Sequence, residues 1–262
     1  MTLPMRALGS TDIEVSCLGL GTVKFGRNEE VKYPTNFSLP TDREIERLIA
    51  SARDEGINLL DTAPAYGSSE QRIGRLLRNR DQWVICTKVG EQFVTGKSIY
   101  DFSAQSTVTS IEKSLRSLNS DYIDIVLVHS DGRDQHILDN SDCFKALEKL
   151  KEAGKIRAIG ISTKTVEGAL NAIELCDVLM VTYNPSAQAD EIVIDTAKEK
   201  GCGILIKKAF DSGHAVAGGA KANVAKNLEF VFSKPGVSSA IVGTINPLHL
   251  KDNANAARAA CK

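Results

Sequence analysis

An aspartate, a tyrosine, a lysine and a histidine stand just beyond three successive apolar runs or at their ends. Asp61 follows the run 57–60, with Tyr66 on the loop after it; Lys88 closes 83–88, and His129 follows 122–128. Groups of these types, brought together, handle protons. A buried lysine beside a phenol stabilises the phenolate and lowers the tyrosine pKa from about 10. A carboxylate next to that lysine keeps it charged, and a histidine can hydrogen-bond a substrate oxygen while the tyrosine donates a proton. That set suits polarising and protonating a carbonyl. Each residue alone has a plainer role: Asp-Thr as a turn, Lys88 as a solvated charge, His129 as a structural hydrogen-bonder. A Schiff base on Lys88, as in an aldolase, is the rival chemistry. No nucleophilic Cys or Ser arrangement and no metal-ligand spacing accompanies the set, so a reduction needs a bound hydride donor.

The elements that must position these residues alternate along the chain. Residues 6–16 read as a hairpin around Gly9-Ser10-Thr11-Asp12, followed by a small-residue strand at 17–22. Residues 23–40 read as a long polar loop with Gly26, Pro34 and Pro40. Thr41 to Glu44 carries a capping-box pattern that opens a helix running to Gly56. Strands are then predicted at 57–60, 83–88, 122–128, 156–161, 177–182, 203–207 and 238–242. Helices are predicted at 69–79, 103–118, 141–153, 165–175, 189–200, 221–233 and about 247–259, and a glycine-rich loop follows 203–207. Ser68 and Ser69 are candidate N-caps for the helix at 69–79, with Glu70 supporting its first turn.

Eight strand–helix units from residue 17, with strands apolar throughout as parallel strands buried on both faces are, predict an α/β fold. Its form is a closed (β/α)8 TIM barrel with an N-terminal β-hairpin, one domain over 1–262. A doubly wound open sheet is the alternative, but Gly19-Leu20-Gly21-Thr22-Val23-Lys24 lacks the third glycine of a dinucleotide fingerprint. In such a barrel the strand ends converge on one mouth, which adds Ser162 and Thr163, Tyr183 and Asn184, Lys207 and Lys208, and Gly243 and Thr244 to the first four residues. The start of the last helix is a ready site for an anion.

Composition narrows the function. Lys plus Arg number 32 against 33 for Asp plus Glu, a balance that argues against a nucleic-acid partner. The six cysteines are scattered without a C-x-x-C pair, so neither a disulfide framework nor a metal site is expected. No apolar stretch approaches the roughly 18 residues of a membrane span, and a cytoplasmic protein is expected. No heptad or long apolar helix face stands out, which leaves a monomer as the default.

The chain resembles the aldo-keto reductases over nearly its whole length. The motif Asp-Thr-Ala-x-x-Tyr-Gly-x-Ser-Glu stands at Asp61, Thr62, Ala63, Tyr66, Gly67, Ser69 and Glu70. Thr87-Lys88, Leu127-Val128-His129, the stretch from Gly154 to Ser162 and the opening residues 8–22 are similar to further family motifs. The resemblance implies reduction of an aldehyde or ketone by NADPH, with NAD as the alternative, on a small-molecule carbonyl substrate. Tyr66 would be the general acid, Lys88 and Asp61 would tune it, and His129 would orient the carbonyl. Cofactor contacts would come from Gly21, Thr22, Asp61, Ser162 on the nicotinamide carboxamide, Thr163, Tyr183, Lys207, Lys208 and Gly243, with Thr244, His249, Asp252 and Asn253 toward the adenosine end.

Departures from the family pattern shape the alternatives. Thr163 replaces an Asn, Met180 stands where a Gln commonly contacts nicotinamide, and Lys207-Lys208 replaces an aromatic. The two lysines would meet pyrophosphate or a substrate carboxylate. His249 replaces an Arg common in NADP-preferring relatives, and a neutral imidazole clamps a 2′-phosphate less firmly than a guanidinium. Val23, Lys24 and Phe25 are expected as pocket walls. The alternative function is a cofactor-binding regulatory protein with little turnover.

Overall fold

The computed structural model of the chain describes residues 2–31, 36–211 and 221–261, without the side chains of 221 and 222. Pro34 of the 23–40 loop and the glycine-rich 212–220 loop lie outside the described residues. An antiparallel hairpin comes first, β1 (Met5–Ala7) and β2 (Glu14–Ser16). Next come β3 (Leu18–Gly21), α1 (Val23–Gly26), α2 (Asp42–Asp54), β4 (Leu59–Asp61), α3 (Ser69–Leu76) and β5 (Val84–Val89). A second antiparallel hairpin follows, β6 (Glu91–Val94) and β7 (Lys97–Tyr100), then α4 (Ala104–Leu118) and β8 (Ile123–His129). The remainder is α5 (Asp134–Asn140), α6 (Cys143–Glu152), β9 (Ile156–Ser162), α7 (Val166–Ala172), β10 (Val178–Thr182), α8 (Glu191–Lys200), β11 (Gly203–Lys207), α9 (Lys221–Ser233), β12 (Val237–Gly243) and α10 (Pro247–Ala260).

Strands β3, β4, β5, β8, β9, β10, β11 and β12 close into a parallel barrel in chain order, the (β/α)8 architecture expected from the alternation. Side chains alternate across each strand. Leu59, Cys86, Ile125, Leu127, Ala158, Met180 and Leu205 fill the interior together with Leu8, Ile13 and Val15 of the N-terminal hairpin region, which plugs one end. Their neighbours Leu60, Ile85, Val126, Val128 and Ile159 pack in the layer between barrel and helices. The two-residue period therefore carries Asp61, Lys88, His129, Ser162 and Lys207 onto the inner face, one step past the filled interior at the carboxyl ends of their strands.

The capping box on α2 forms as its sequence predicts, Thr41 accepting from the Glu44 amide while Glu44 accepts from the Thr41 amide. Ser68 occupies the N-cap of α3 but makes no side-chain cap bond. The Ser69 hydroxyl instead donates to the Thr22 carbonyl at 3.0 Å and accepts from Thr62 at 3.0 Å, binding α3 to the barrel rim. Glu70 lies in the first turn of α3, where it is buried and accepts a 2.6 Å bond from Thr87. The stretch expected as an irregular loop from residue 23 begins with the helical turn α1, and Phe25 is wholly buried in the core, not a pocket wall. Among the described residues no helix is long and apolar enough to cross a membrane.

Candidate active site

Asp61 ends β4, and a 3-10 turn at Pro64–Tyr66 carries the tyrosine back over the barrel mouth. Pro64 at the turn's first position fixes its entry. Gly67 leaves it at φ +62°, where a side chain would also strike the Gly26 carbonyl oxygen, so α1 and this turn lock together through two glycines. Lys88, 2% exposed, donates to Asp61 Oδ1 at 2.6 Å and to the Thr62 carbonyl at 2.8 Å. Its Nζ lies 4.9 Å from the centre of the Tyr66 ring, and the His129 ring meets that ring edge-on at 6.3 Å. The four residues that the strand ends suggested are thus brought together.

Burial alone would discharge Lys88, but the Asp61 carboxylate overrides it and holds the ammonium above its ordinary range. Tyr66 behaves differently from the expected lowered phenol. Its burial pushes the pKa up to about 12, and the nearby Lys88 charge, itself offset by Asp61, only partly opposes that rise. The phenol therefore keeps its proton through neutral pH, as a proton donor must. Burial lowers the His129 pKa against the raising influence of Glu91.

Glu91 is a site residue that strand-end reasoning did not single out. It opens β6, is buried, and sets Oε2 2.6 Å from His129 Nδ1. The two-residue turn Thr95-Gly96, both at positive φ, between the apolar pairs Phe93-Val94 and Ile99-Tyr100 is the weak hairpin signal that could have exposed it. Asp134 at the start of α5 is a second such residue. It accepts from Ser130 and from the Lys164 and Thr165 amides at 2.8 and 2.7 Å, tying together the loops beyond His129 and Ser162.

The residues suggested for cofactor contact fall into groups. Ser162 pairs in register with both His129 and Met180. Lys207, two strands along the barrel, donates to Ser162 Oγ at 2.8 Å and to the Thr163 carbonyl at 2.5 Å. Burial, and then the Lys208 charge, push the Lys207 pKa down to about 7. Thr163 Oγ1 is buried with no hydrogen-bond partner. Gly21 and Gly243 are register partners on β3 and β12, leaving bare backbone at the rim, and Thr22 fastens to the Asp61 carbonyl at 2.9 Å.

Thr244 is buried and receives the Asn246 amide at 3.1 Å, while Asn246 caps α10 through Leu248. His249 is exposed on the first turn of α10, Asp252 lies partly buried and Asn253 is buried. Tyr183 stacks on Phe230 of α9 at 4.9 Å. Lys208 is exposed at φ +56°, its carbonyl receiving Asn184 at 2.9 Å. An unpartnered buried hydroxyl beside Ser162 and a bare glycine rim opposite suit a flat amide-bearing ring, so these residues fit a nicotinamide nucleotide.

Comparison with known proteins decides the family. The sequence model of the Aldo/keto reductase family matches residues 17–227. The chain belongs to that family. It is 52% identical to a solved aldo-keto reductase of Pseudomonas aeruginosa, PA4992, covering 100% of this chain and 97% of that one with a TM-score of 0.91. It is also 30% identical over 201 residues to aldo-keto reductase YhdN of Bacillus subtilis. With L-galactose dehydrogenase of Arabidopsis thaliana it shares 36% identity over 171 residues. These two matches take in 74% and 61% of this chain but span only 58% and 48% of the relatives' own lengths. Aldo-keto reductases work with nicotinamide cofactors; one relative, 28% identical over 82% of this chain and 72% of its own length, is the NADH-specific methylglyoxal reductase of Escherichia coli.

Proposed function

We propose that the barrel reduces an aldehyde or ketone to the alcohol, with Tyr66 as the general acid and NADPH preferred over NADH. The observation that carries this reading is the buried Lys88 ammonium, hydrogen-bonded to Asp61 and set 4.9 Å from the Tyr66 ring centre. A bound nicotinamide dihydronucleotide supplies the hydride. Ser162 and Thr163 hold the carboxamide end, Gly21 and Gly243 let the backbone approach it, and Thr244, His249, Asp252 and Asn253 serve the adenosine end. Tyr66 keeps its proton until charge develops on the carbonyl oxygen. The Lys88 ammonium then stabilises the phenolate left behind, with Asp61 keeping that ammonium in place. His129 orients the carbonyl.

The NADPH preference rests on the Thr244 hydroxyl just before α10, which can hydrogen-bond a 2′-phosphate. Measured with one aldehyde, the Michaelis constant for NADPH is expected below that for NADH; the reverse order would overturn the preference. Lys207 favours a second reading, a cofactor-binding regulatory protein with little turnover, because its amine already engages Ser162 and Thr163. Fluorescence of bound NADPH followed by turnover across a panel of aldehydes separates the two. Binding with turnover supports the reductase, and binding with no turnover on any carbonyl supports the regulator.

A further inference from the structure

His129 Nδ1 is buried and lacks a well-directed hydrogen bond, although Glu91 Oε2 stands only 2.6 Å away. Glu91 itself is held from several sides. Ser98, across the hairpin, donates to its Oε1 at 2.5 Å, and Tyr100 is its register partner. The hairpin in turn rests on the Tyr66 side of the mouth, where Arg27 lies 3.5 Å over the Phe93 ring and donates to the Ala65 carbonyl at 3.2 Å. Arg27 thus links the hairpin that carries the carboxylate to the turn that carries Tyr66.

We propose that Glu91 is a positioning residue for His129, its carboxylate keeping the imidazole proton on Nδ1 and turning the Nε2 lone pair to the barrel mouth. Imidazole has one proton to place when neutral, so a proton committed to Glu91 leaves Nε2 an acceptor. To donate to a carbonyl oxygen, His129 must then take a second proton on Nε2. The charged groups around it act in opposite directions. Lys88 from β5 and Lys207 from β11 disfavour an imidazolium, as does burial, while Glu91 favours one; Tyr66 faces the ring from the 3-10 turn. Burial of Glu91 is outweighed by His129, Ser98 and Arg27, which hold its pKa down to about 2, so the carboxylate stays charged across the working range.

The kinetic consequence rests on the reductase reading, but the tautomer is a property of the protein alone. Long-range proton–nitrogen correlation spectra of the imidazoles, with His129→Asn to assign the signal, report it directly. The wild-type protein is expected to show the Nδ1–H form, and Glu91→Gln is expected to lower the His129 titration midpoint by about one pH unit or more. The limb of kcat/KM that requires protonated His129 should move to lower pH by the same amount. A neutral Nε2–H tautomer in the wild-type protein overturns the proposal even if the variant does not fold. Identical His129 titration in the wild type and a folded Glu91→Gln variant overturns it too. Loss of the reductase reading, by absence of turnover on every carbonyl, leaves the tautomer result standing.

Discussion

Lys88 and Asp61 depend on each other. Each is nearly sealed from solvent, and burying either charge alone is costly unless its partner remains. Lys88→Met is expected to destabilise the fold by roughly 3–5 kcal/mol, the range for breaking one side of a buried pair. It should also remove most turnover, because the phenolate left by Tyr66 then has no cation beside it. Denaturant unfolding and single-turnover rates check both effects; a stable variant with wild-type rates would contradict the assignment. Residue types at strand ends made this cluster legible in the sequence. The direction of the Tyr66 shift was not, because it depends on how far the partly buried phenol loses its hydration against the charges of Lys88 and Asp61, and that is set only when the 3-10 turn folds back over the mouth.

Elements place these side chains by parity and by close backbone contact. Position at the strand ends made Asp61, Lys88, His129, Ser162 and Lys207 readable as mouth residues, but strands apolar throughout gave no parity to separate Ser162 from Thr163 or Lys207 from Lys208. The β6–β7 hairpin escaped because its exposed Val94 and Ile99 and short runs give little burial pattern to read. The loss of Phe25 from the pocket wall has a similar origin: the sequence between residues 23 and 40 is polar overall and hides one helical turn. Gly67 tests the element scale directly. Gly67→Ala demands a left-handed backbone from alanine and drives its methyl into Gly26, so a cost of roughly 1–3 kcal/mol is expected. The Tyr66 turn should shift with it and lower kcat while leaving cofactor affinity near wild type. Thermal unfolding and steady-state kinetics read both, and unchanged kcat would show that the turn's position does not matter.

At the scale of the molecule, the two ends of the barrel divide stability from chemistry. Asp124, one strand position past the start of β8, is buried and joins Arg80 and Arg157 at 2.7 Å each. Asp124→Ala is expected to cost about 3 kcal/mol, the low end for such a pair because both arginines keep some solvent, and to leave kcat/KM unchanged. At the mouth, Lys207 couples stability to pH. Its pKa near 7 lies below the ordinary lysine value of 10.5, so the unfolded chain holds the extra proton between those limits. Stability relative to Lys207→Met should therefore rise from about pH 7 to 10.5 and stay flat below 7, as urea unfolding across that range can show. The barrel as a whole was legible because eight strand–helix units leave few other closed arrangements; the occupancy of Ser162 by Lys207 was not, because it joins residues 45 positions apart on strands that do not pair. If Tyr66 protonates a carbonyl during hydride transfer, single-turnover reduction of an aldehyde by the enzyme preloaded with NADPH depends on its hydroxyl. Tyr66→Phe should bind NADPH as the wild type does and lose roughly 10²–10⁴-fold or more in rate. Reduction at the wild-type rate in that variant would contradict the account.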